Sequence, residues 1–437
     1  MGTSTAGYNM PYLIVAKDSK AVTDWLALCE KAETEPEQVL ADIEAGKYDD
    51  VKVPVLYSNI HSNEVAAVDA ILEFAKMLVE DESISYKKLT ALTDAGEAKV
   101  QEQREAQGLF TPQLVQEMTT YLGSIWPSDN SQTSGKVENF DSYYESENVT
   151  VTVDELLDDV FFLLVPEQNV EGRLYITRES SNGFDLNRDN SFQVTKETQN
   201  MQHFIGMFNP VTHVELHGQV TGFQVEPCDP PHEPNVEYDL LANHLMTGGE
   251  AFGAAAVANN PDYQSYVIPE RDYLYSDDDG NPWWADPWDD MSTSYTPQFA
   301  MLQGCVAYTV ELPAYSESAR TAATFGMLGL SDYVAAEKLA YLTDQVTIYQ
   351  RGASNANSDA EVGPWFTDEH DVVGAELVEE QLLHALARAD GDNAEVLLRL
   401  GHAALFLLRG RLAALHRAQL RVHLFEVVGA LRLLPEV

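Results

Sequence analysis

The sequence predicts an α/β fold with a further helical segment at its C-terminal end, on three observations. Apolar runs of strand length recur at 53–60, 160–165, 210–216 and 304–310. Between them lie stretches with apolar residues three and four positions apart, the period of an amphipathic helix. The two kinds alternate along the chain, which favours α/β over all-α or all-β.

The first run, Val53-Pro54-Val55-Leu56-Tyr57-Ser58-Asn59-Ile60, reads as a strand that leads straight into His61-Ser62-Asn63-Glu64. Val65, Val68, Leu72, Ala75 and Val79 then predict a helix that starts at or near Glu64 and buries that stripe. Residues from about 81 to 152 are polar, with a Gln/Glu-rich helical patch at 97–107 and a Ser/Asn-rich stretch at 128–135. They read as a long insertion over the sheet, after which 161–165 resumes the core. The stretch between His217 and Glu311 contains Pro230-Pro231, Asp277-Asp278-Asp279-Gly280 and Trp283-Trp284. Such loops either line a cleft at a sheet edge or are solvated loops with packed aromatics. The segment 319–349 reads as one or two core helices through Phe325, Leu328, Leu330, Val334, Leu339 and Leu342.

The chain then changes composition. From Val396 onward there are six Arg, no Lys and two acids, among many Leu and Ala. The expected organisation is a main domain at 1–355, a linker at 356–375 and a helical tail at 376–437. An accessory helical domain, a fusion segment and a readthrough in another frame all fit that tail.

Charge excludes several partners. With 70 acidic against 26 basic residues the net charge is −44, so nucleic acid and anionic membranes are the wrong sign. Such a surface repels itself at low salt, which fits either a salt-adapted, halophilic source or an ordinary acidic protein. Three cysteines, Cys29, Cys228 and Cys305, are widely spaced and make neither a disulfide framework nor a Cys-based zinc site. No apolar stretch reaches the ~18 residues of a membrane span. No leader is visible at the start, which an extracellular protein without its signal segment would share. Location and oligomeric state stay open.

Chemistry concentrates at the ends of the apolar runs. His61 and Glu64 follow the first, His217 ends another, and Glu311 closes a third. Two imidazoles and a carboxylate suit zinc, and three protein ligands leave one position open for water. Glu311 could then take that water's proton, which points to a metal-dependent peptidase. An HxxE pair alone says little, since His423-Leu424-Phe425-Glu426 also fits it. His213 competes with His217, four residues earlier on the same strand face. At ~3.3 Å per residue it sits roughly 13 Å away, so both cannot hold one ion.

The order of His61-x-x-Glu64, Asp185-Leu186-Asn187-Arg188, Leu216-His217-Gly218 and Thr309-Val310-Glu311 resembles that of the zinc metallocarboxypeptidases related to carboxypeptidase A. The similarity covers roughly residues 1–350. Gly2 to Tyr8 is similar to the family's Gly-x-Ser-x-x-Gly-Arg stretch, with Tyr8 in place of Arg and a shortened N-terminus before it. Glu167-Gln168-Asn169-Val170-Glu171-Gly172 stands where the family has Asn-Pro-Asp-Gly, and the retained Gly172 implies a similar turn. The resemblance implies a mixed twisted β-sheet with helices on both faces. It implies one zinc per chain on His61, Glu64 and His217, with Glu311 as general base and then acid. Asn187 and Arg188 would hold the free C-terminal carboxylate of a peptide, and Arg178 would face the scissile carbonyl. Tyr295 lies in the loop of the family's mobile tyrosine. Residues around 286–296 would set the side-chain pocket, where Asp289 or Asp290 either favours basic side chains or is one more solvated acid. The implied partners are peptide or protein C-termini.

Two other functions share features of this pattern. One is an N-acyl-amino-acid deacylase of the aspartoacylase and succinylglutamate desuccinylase type. The other is a non-catalytic binding protein on the same scaffold.

Overall fold

The structure is a computed structural model that describes residues 1–107, 137–220, 223–227, 237–260, 262, 266–268, 274–276, 282–284, 293–313 and 315–354. The expected linker and tail, Cys228, Pro230-Pro231, Asp277 to Gly280, Asp289 and Asp290 lie outside the described residues.

Two short strands open the chain, β1 (Gly2–Thr3) and β2 (Asn9–Met10), paired antiparallel, with β3 (Leu13–Val15) after them. Helices α1 (Ser19–Thr34) and α2 (Pro36–Glu44) follow. Asp18 caps α1 by accepting from the Ala21 amide, and Pro36 opens α2 at the position where its missing N–H leaves no bond unmade. The first predicted strand is β4 (Val53–Ser58), buried at every position, and it leads to α3 (Val65–Glu80).

The helix stands where the pattern places it, but its buried face differs. Ala67, Ala70, Ile71, Phe74 and Leu78 face the core, while Leu72 and Val79 are exposed. Two overlapping apolar stripes run along this segment, and the one with Phe74 packs edge-on against Tyr57 and Phe162.

The polar insertion forms a two-stranded antiparallel arm of β5 (Ser83–Leu92) and β6 (Tyr144–Thr152), with α4 (Asp94–Gln107) and α5 (Phe140–Tyr143) between them. The chain continues through α6 (Val153–Asp159), β7 (Val160–Val165), α7 (Val170–Tyr175) and a 3-10 turn at Leu186–Arg188. Next come α8 (Lys196–Phe208), β8 (Thr212–Val220), β9 (Phe223–Pro227), α9 (Tyr238–Ala258) and β10 (Tyr266–Val267). A small pair, β11 (Leu274–Ser276) and β12 (Pro282–Trp284), precedes α10 (Thr296–Met301) and β13 (Val306–Pro313). Helices α11 (Glu317–Ala336) and α12 (Lys338–Ser354) complete the described elements.

Seven strands form one mixed sheet in the order β10-β9-β13-β8-β4-β7-β3. β13, β8, β4 and β7 run parallel, while β9 and β3 are antiparallel to their neighbours β13 and β7. Helices α3, α9 and α11 pack together. Tyr57 reaches across to α11, its hydroxyl donating to the Met327 carbonyl at 2.8 Å. The insertion arm docks outside this helical layer rather than on the sheet. The Lys87 backbone exchanges two bonds with the Asn259 side chain, and Tyr86 donates to Asp332.

From β4 the chain moves to β7 on one side, then returns to β8 on the other and continues to β13. The carboxyl ends of β4 and β8 therefore flank a topological switch point, where open α/β sheets leave a crevice for ligands.

Candidate metal centre

His61 stands three residues beyond β4, and Glu64 occupies the N-cap position of α3. Its side chain makes no capping bond. It turns instead toward His61 Nδ1, 2.9 Å from Oε1, and His217 Nδ1, 3.2 Å from Oε2. His217 lies within β8, which runs on to Val220, and pairs across the parallel ladder with Glu311 on β13. The two histidine Nδ1 atoms are 3.1 Å apart. All three side chains are buried.

Each histidine is held from behind. His61 Nε2 lies 2.9 Å from Asp185 Oδ1, and His217 Nε2 lies 2.8 Å from Glu215 Oε2. A carboxylate only accepts, so each Nε2 is placed to donate its proton to the carboxylate behind it. In a neutral ring Nδ1 is then a bare lone pair. Two lone pairs and a carboxylate so close together repel one another unless a cation lies among them. Ligands at ~2.0–2.1 Å in a tetrahedron stand about 3.3 Å apart, and the observed separations of 2.9, 3.1 and 3.2 Å are near that. Glu64 Oε2 is buried without a hydrogen-bond donor. The donor set therefore fits a single metal ion, in a buried His-Glu-His triad.

Electrostatics agree. Burial would lower the His217 pKa, but Glu64 and Glu215 overcome it and hold the ring well above the usual imidazole value. For Glu64, burial raises the pKa and the two histidines outweigh it, leaving the carboxylate ionised below its ordinary range. Asp185 follows the same balance, with burial opposed by His61 and Arg178, and ends well below the usual carboxylate range. The centre attracts positive charge.

His213 is not part of this group. It is fully buried lower on β8, its Nε2 2.8 Å from Ser58 Oγ, and burial pushes its pKa down to about 4.

The remaining predicted residues converge on the same place. His61, His217, Glu311, Arg178, Asn187, Arg188 and Tyr295 line one cavity of about 200 Å³, together with Glu226 and Thr309. Glu311 is half-buried, and burial raises its pKa against the pull of His217. Arg178 donates from Nε to Asp185 at 2.9 Å and from Nη1 to Glu64 at 3.2 Å. The Asn187 side-chain oxygen, Oδ1, accepts from the Thr296 backbone amide at 2.9 Å. Asn190 bonds the Ser294 carbonyl through both its backbone and its side chain. These bonds fix Tyr295, and the Arg188 guanidinium lies 4.1 Å from its ring centroid. Arg188 has no acidic partner among the described residues.

Local sequence chemistry builds the floor. Asn169 caps α7 by accepting from the Gly172 amide, and its own amide donates to Glu167. A Cβ at Gly172 would meet Ser62 Oγ at 2.7 Å, so the turn expected there needs glycine for close approach. Burial raises the Glu167 pKa to about 8. The N-terminal stretch is tied down at Ala6, whose amide donates to Glu171, and at Thr5, which bonds Glu197. Tyr8 is exposed.

Sequence reasoning gave no role to Asp185, Glu215, Glu226 or Thr309. Asp185 stood inside a motif already singled out. Glu215 carried a signal too, since a residue two before His217 shares its strand face. Glu226 and Thr309 are opposed in the antiparallel ladder of β9 and β13, a register that no local pattern reveals.

No family model and no curated protein matches the chain. Among solved structures it is similar to a metallo-carboxypeptidase from Burkholderia cenocepacia, with 14% identity over 77% of this chain and a TM-score of 0.41. It is similar to a metallo-carboxypeptidase from Pseudomonas aeruginosa in complex with (2-guanidinoethylmercapto)succinic acid, with 13% identity over 78% of this chain and a TM-score of 0.41. The chain spans 63% and 64% of the lengths of these two. A murein-tripeptide amidase from Escherichia coli O157 matches at 12% identity over 78% of this chain and 89% of its own, with a TM-score of 0.31.

Proposed function

We propose that this protein is a zinc-dependent carboxypeptidase that hydrolyses the C-terminal peptide bond of peptides or proteins, with one zinc per chain and residues 1–355 as its catalytic domain. One observation carries the reading. A single cavity is lined by both histidines of the His-Glu-His triad, by the half-buried Glu311 and by Arg188, a cation with no acidic partner among the described residues. In a chain with 70 acidic residues, an arginine beside a cavity with none of the described acids paired to it suits an incoming carboxylate.

His61, Glu64 and His217 would hold the ion, which when bound supplies a Lewis acid and lowers the pKa of a water molecule to about 7. The peptide enters with its terminal carboxylate against the Arg188 fork and the Asn187 amide. With its side-chain oxygen bound to the Thr296 amide, Asn187 has its NH₂ group left to donate. Glu311 takes one proton from the attacking water as the oxygen bonds to the scissile carbonyl carbon. It then gives that proton to the amine nitrogen as the C–N bond breaks. Burial raises its pKa, the direction that helps a carboxylate accept a proton and then return it. Arg178 faces the same cavity and stabilises negative charge on the carbonyl oxygen. Tyr295, stacked on Arg188, closes the carboxylate end.

The test compares N-blocked dipeptides with free and amidated C-termini, with N-acetyl amino acids as a third set. Amidation should cost about 2–5 kcal/mol in kcat/KM, the scale for removing one partner of a buried charge pair. Equal rates on both dipeptides would sink the exopeptidase reading. Turnover confined to N-acetyl amino acids would identify a deacylase. Bound zinc with no hydrolysis of any of them would favour a binding protein.

A further inference from the structure

We infer that Glu215 is a positioning residue of the metal centre, the partner of Asp185 in aiming the two ligand histidines. The inference rests on the reading of His61, Glu64 and His217 as ligands and adds a residue that this reading does not require. Glu215 lies on β8 two residues before His217, so both side chains leave the same face of the strand. It is completely buried, with one carboxylate oxygen 2.8 Å from His217 Nε2. The other oxygen has no hydrogen-bond partner among the described residues. Its register neighbours, Ser58 on β4 and Thr309 on β13, make no hydrogen bond to it.

A buried carboxylate with one partner destabilises a fold unless something compensates, and packing alone would select an apolar residue here. What Glu215 does is hold the proton on Nε2, turn Nδ1 to the centre and raise the electron density the ring offers a cation. The two carboxylates differ in how they do this. Asp185 divides its charge among His61 Nε2, Arg178 Nε and the Asn187 amide. Among the described residues Glu215 makes its one side-chain hydrogen bond to His217. Ligand and support therefore share one rigid strand in β8, whereas His61 receives its support from a loop 124 residues away.

Wild-type, Glu215→Gln and Glu215→Ala full-length chains are stripped of metal, then titrated with zinc or cobalt against a competing chelator. The zinc Kd should rise about 10–100-fold in Glu215→Ala, the usual cost of losing such a support. The rise should be smaller in Glu215→Gln, whose amide oxygen still accepts the Nε2 proton but carries no charge. Visible absorption of the cobalt forms should shift in both variants, while far-UV circular dichroism of the metal-free chains stays that of wild type. An unchanged Kd and cobalt spectrum in folded Glu215→Gln overturns the inference. That variant is close to isosteric, so it carries the test even where Glu215→Ala fails to fold. A wild-type chain that binds neither metal overturns the underlying ligand reading, a separate failure visible in the first titration.

Discussion

His213 and His217 are both buried, four residues apart on one face of β8, yet their surroundings drive them in opposite directions. His213 meets a serine hydroxyl, and burial holds it neutral with a pKa near 4. His217 meets Glu64 and Glu215, which overcome the same burial and draw positive charge to it. The strand supplies identical backbone to both. What differs is the company each keeps: Ser58, the last residue of β4, for His213, and Glu215 together with the helix start beyond β4 for His217. A histidine in this fold acquires its chemistry from the level at which its strand meets the sheet edge.

The sharpest way to break this comparison is to exchange the roles by mutation. His217→Ala should abolish stoichiometric zinc, measured by metal analysis after dialysis, while His213→Ala should retain about one zinc per chain. Zinc retained in the first variant and lost in the second would reverse the assignment.

Glu311→Gln tests the same sheet level without touching a ligand. It keeps size and hydrogen bonding but removes the proton acceptor, so kcat should fall about 10²- to 10⁴-fold. Bound zinc should be unchanged. Loss of metal along with rate would make Glu311 a ligand, and near-normal turnover would remove it from the chemistry.

The smallest effect concerns His213 and pH. Its folded pKa, about 4, lies below the ordinary 6.5, so the unfolded chain binds the proton first as pH falls. Stability should therefore decline from pH 6.5 to 4 and level off below, losing about 3 kcal/mol from this group. Above pH 6.5 the group contributes no slope. Denaturant unfolding of metal-free protein should show a shallower decline in His213→Gln over that window. An identical decline would mean that His213 titrates normally.

Much of this arrangement was legible in the sequence because strands buried on both sides read as unbroken apolar runs. β4, β7, β8 and β13 all announced themselves this way, and the candidate site residues stood where the runs ended. The face of α3 misled, since Leu72 and Val79 make an apolar stripe as regular as the buried one. Which stripe faces inward depends on Tyr57 and Phe162, contributed by two strands. The arm of β5 and β6 read as a polar insertion because its buried residues, Ile84, Tyr86 and Leu89, are spaced among serines and lysines. Glu226 and Thr309 became site residues only through the pairing of β9 with β13, and such register is a property of two segments at once.

Glu64 also limits how this sequence can change. It occupies the position where a helix ordinarily accepts a side-chain bond, and it declines that role. Ser, Thr or Asn there would begin α3 better by local rules, but none carries a charge to offer a cation. Asp would keep the charge and lose one methylene of reach. Selection for a better helix start and selection for the site therefore pull in opposite directions at this residue. The first turn is left to be held by the packing of Ala66, Ala67 and Val68. Searches that reward well-formed helix starts will score this segment poorly. A strand followed within a few residues by a helix whose cap is the wrong kind of residue is the more useful signature to seek in distant sequences.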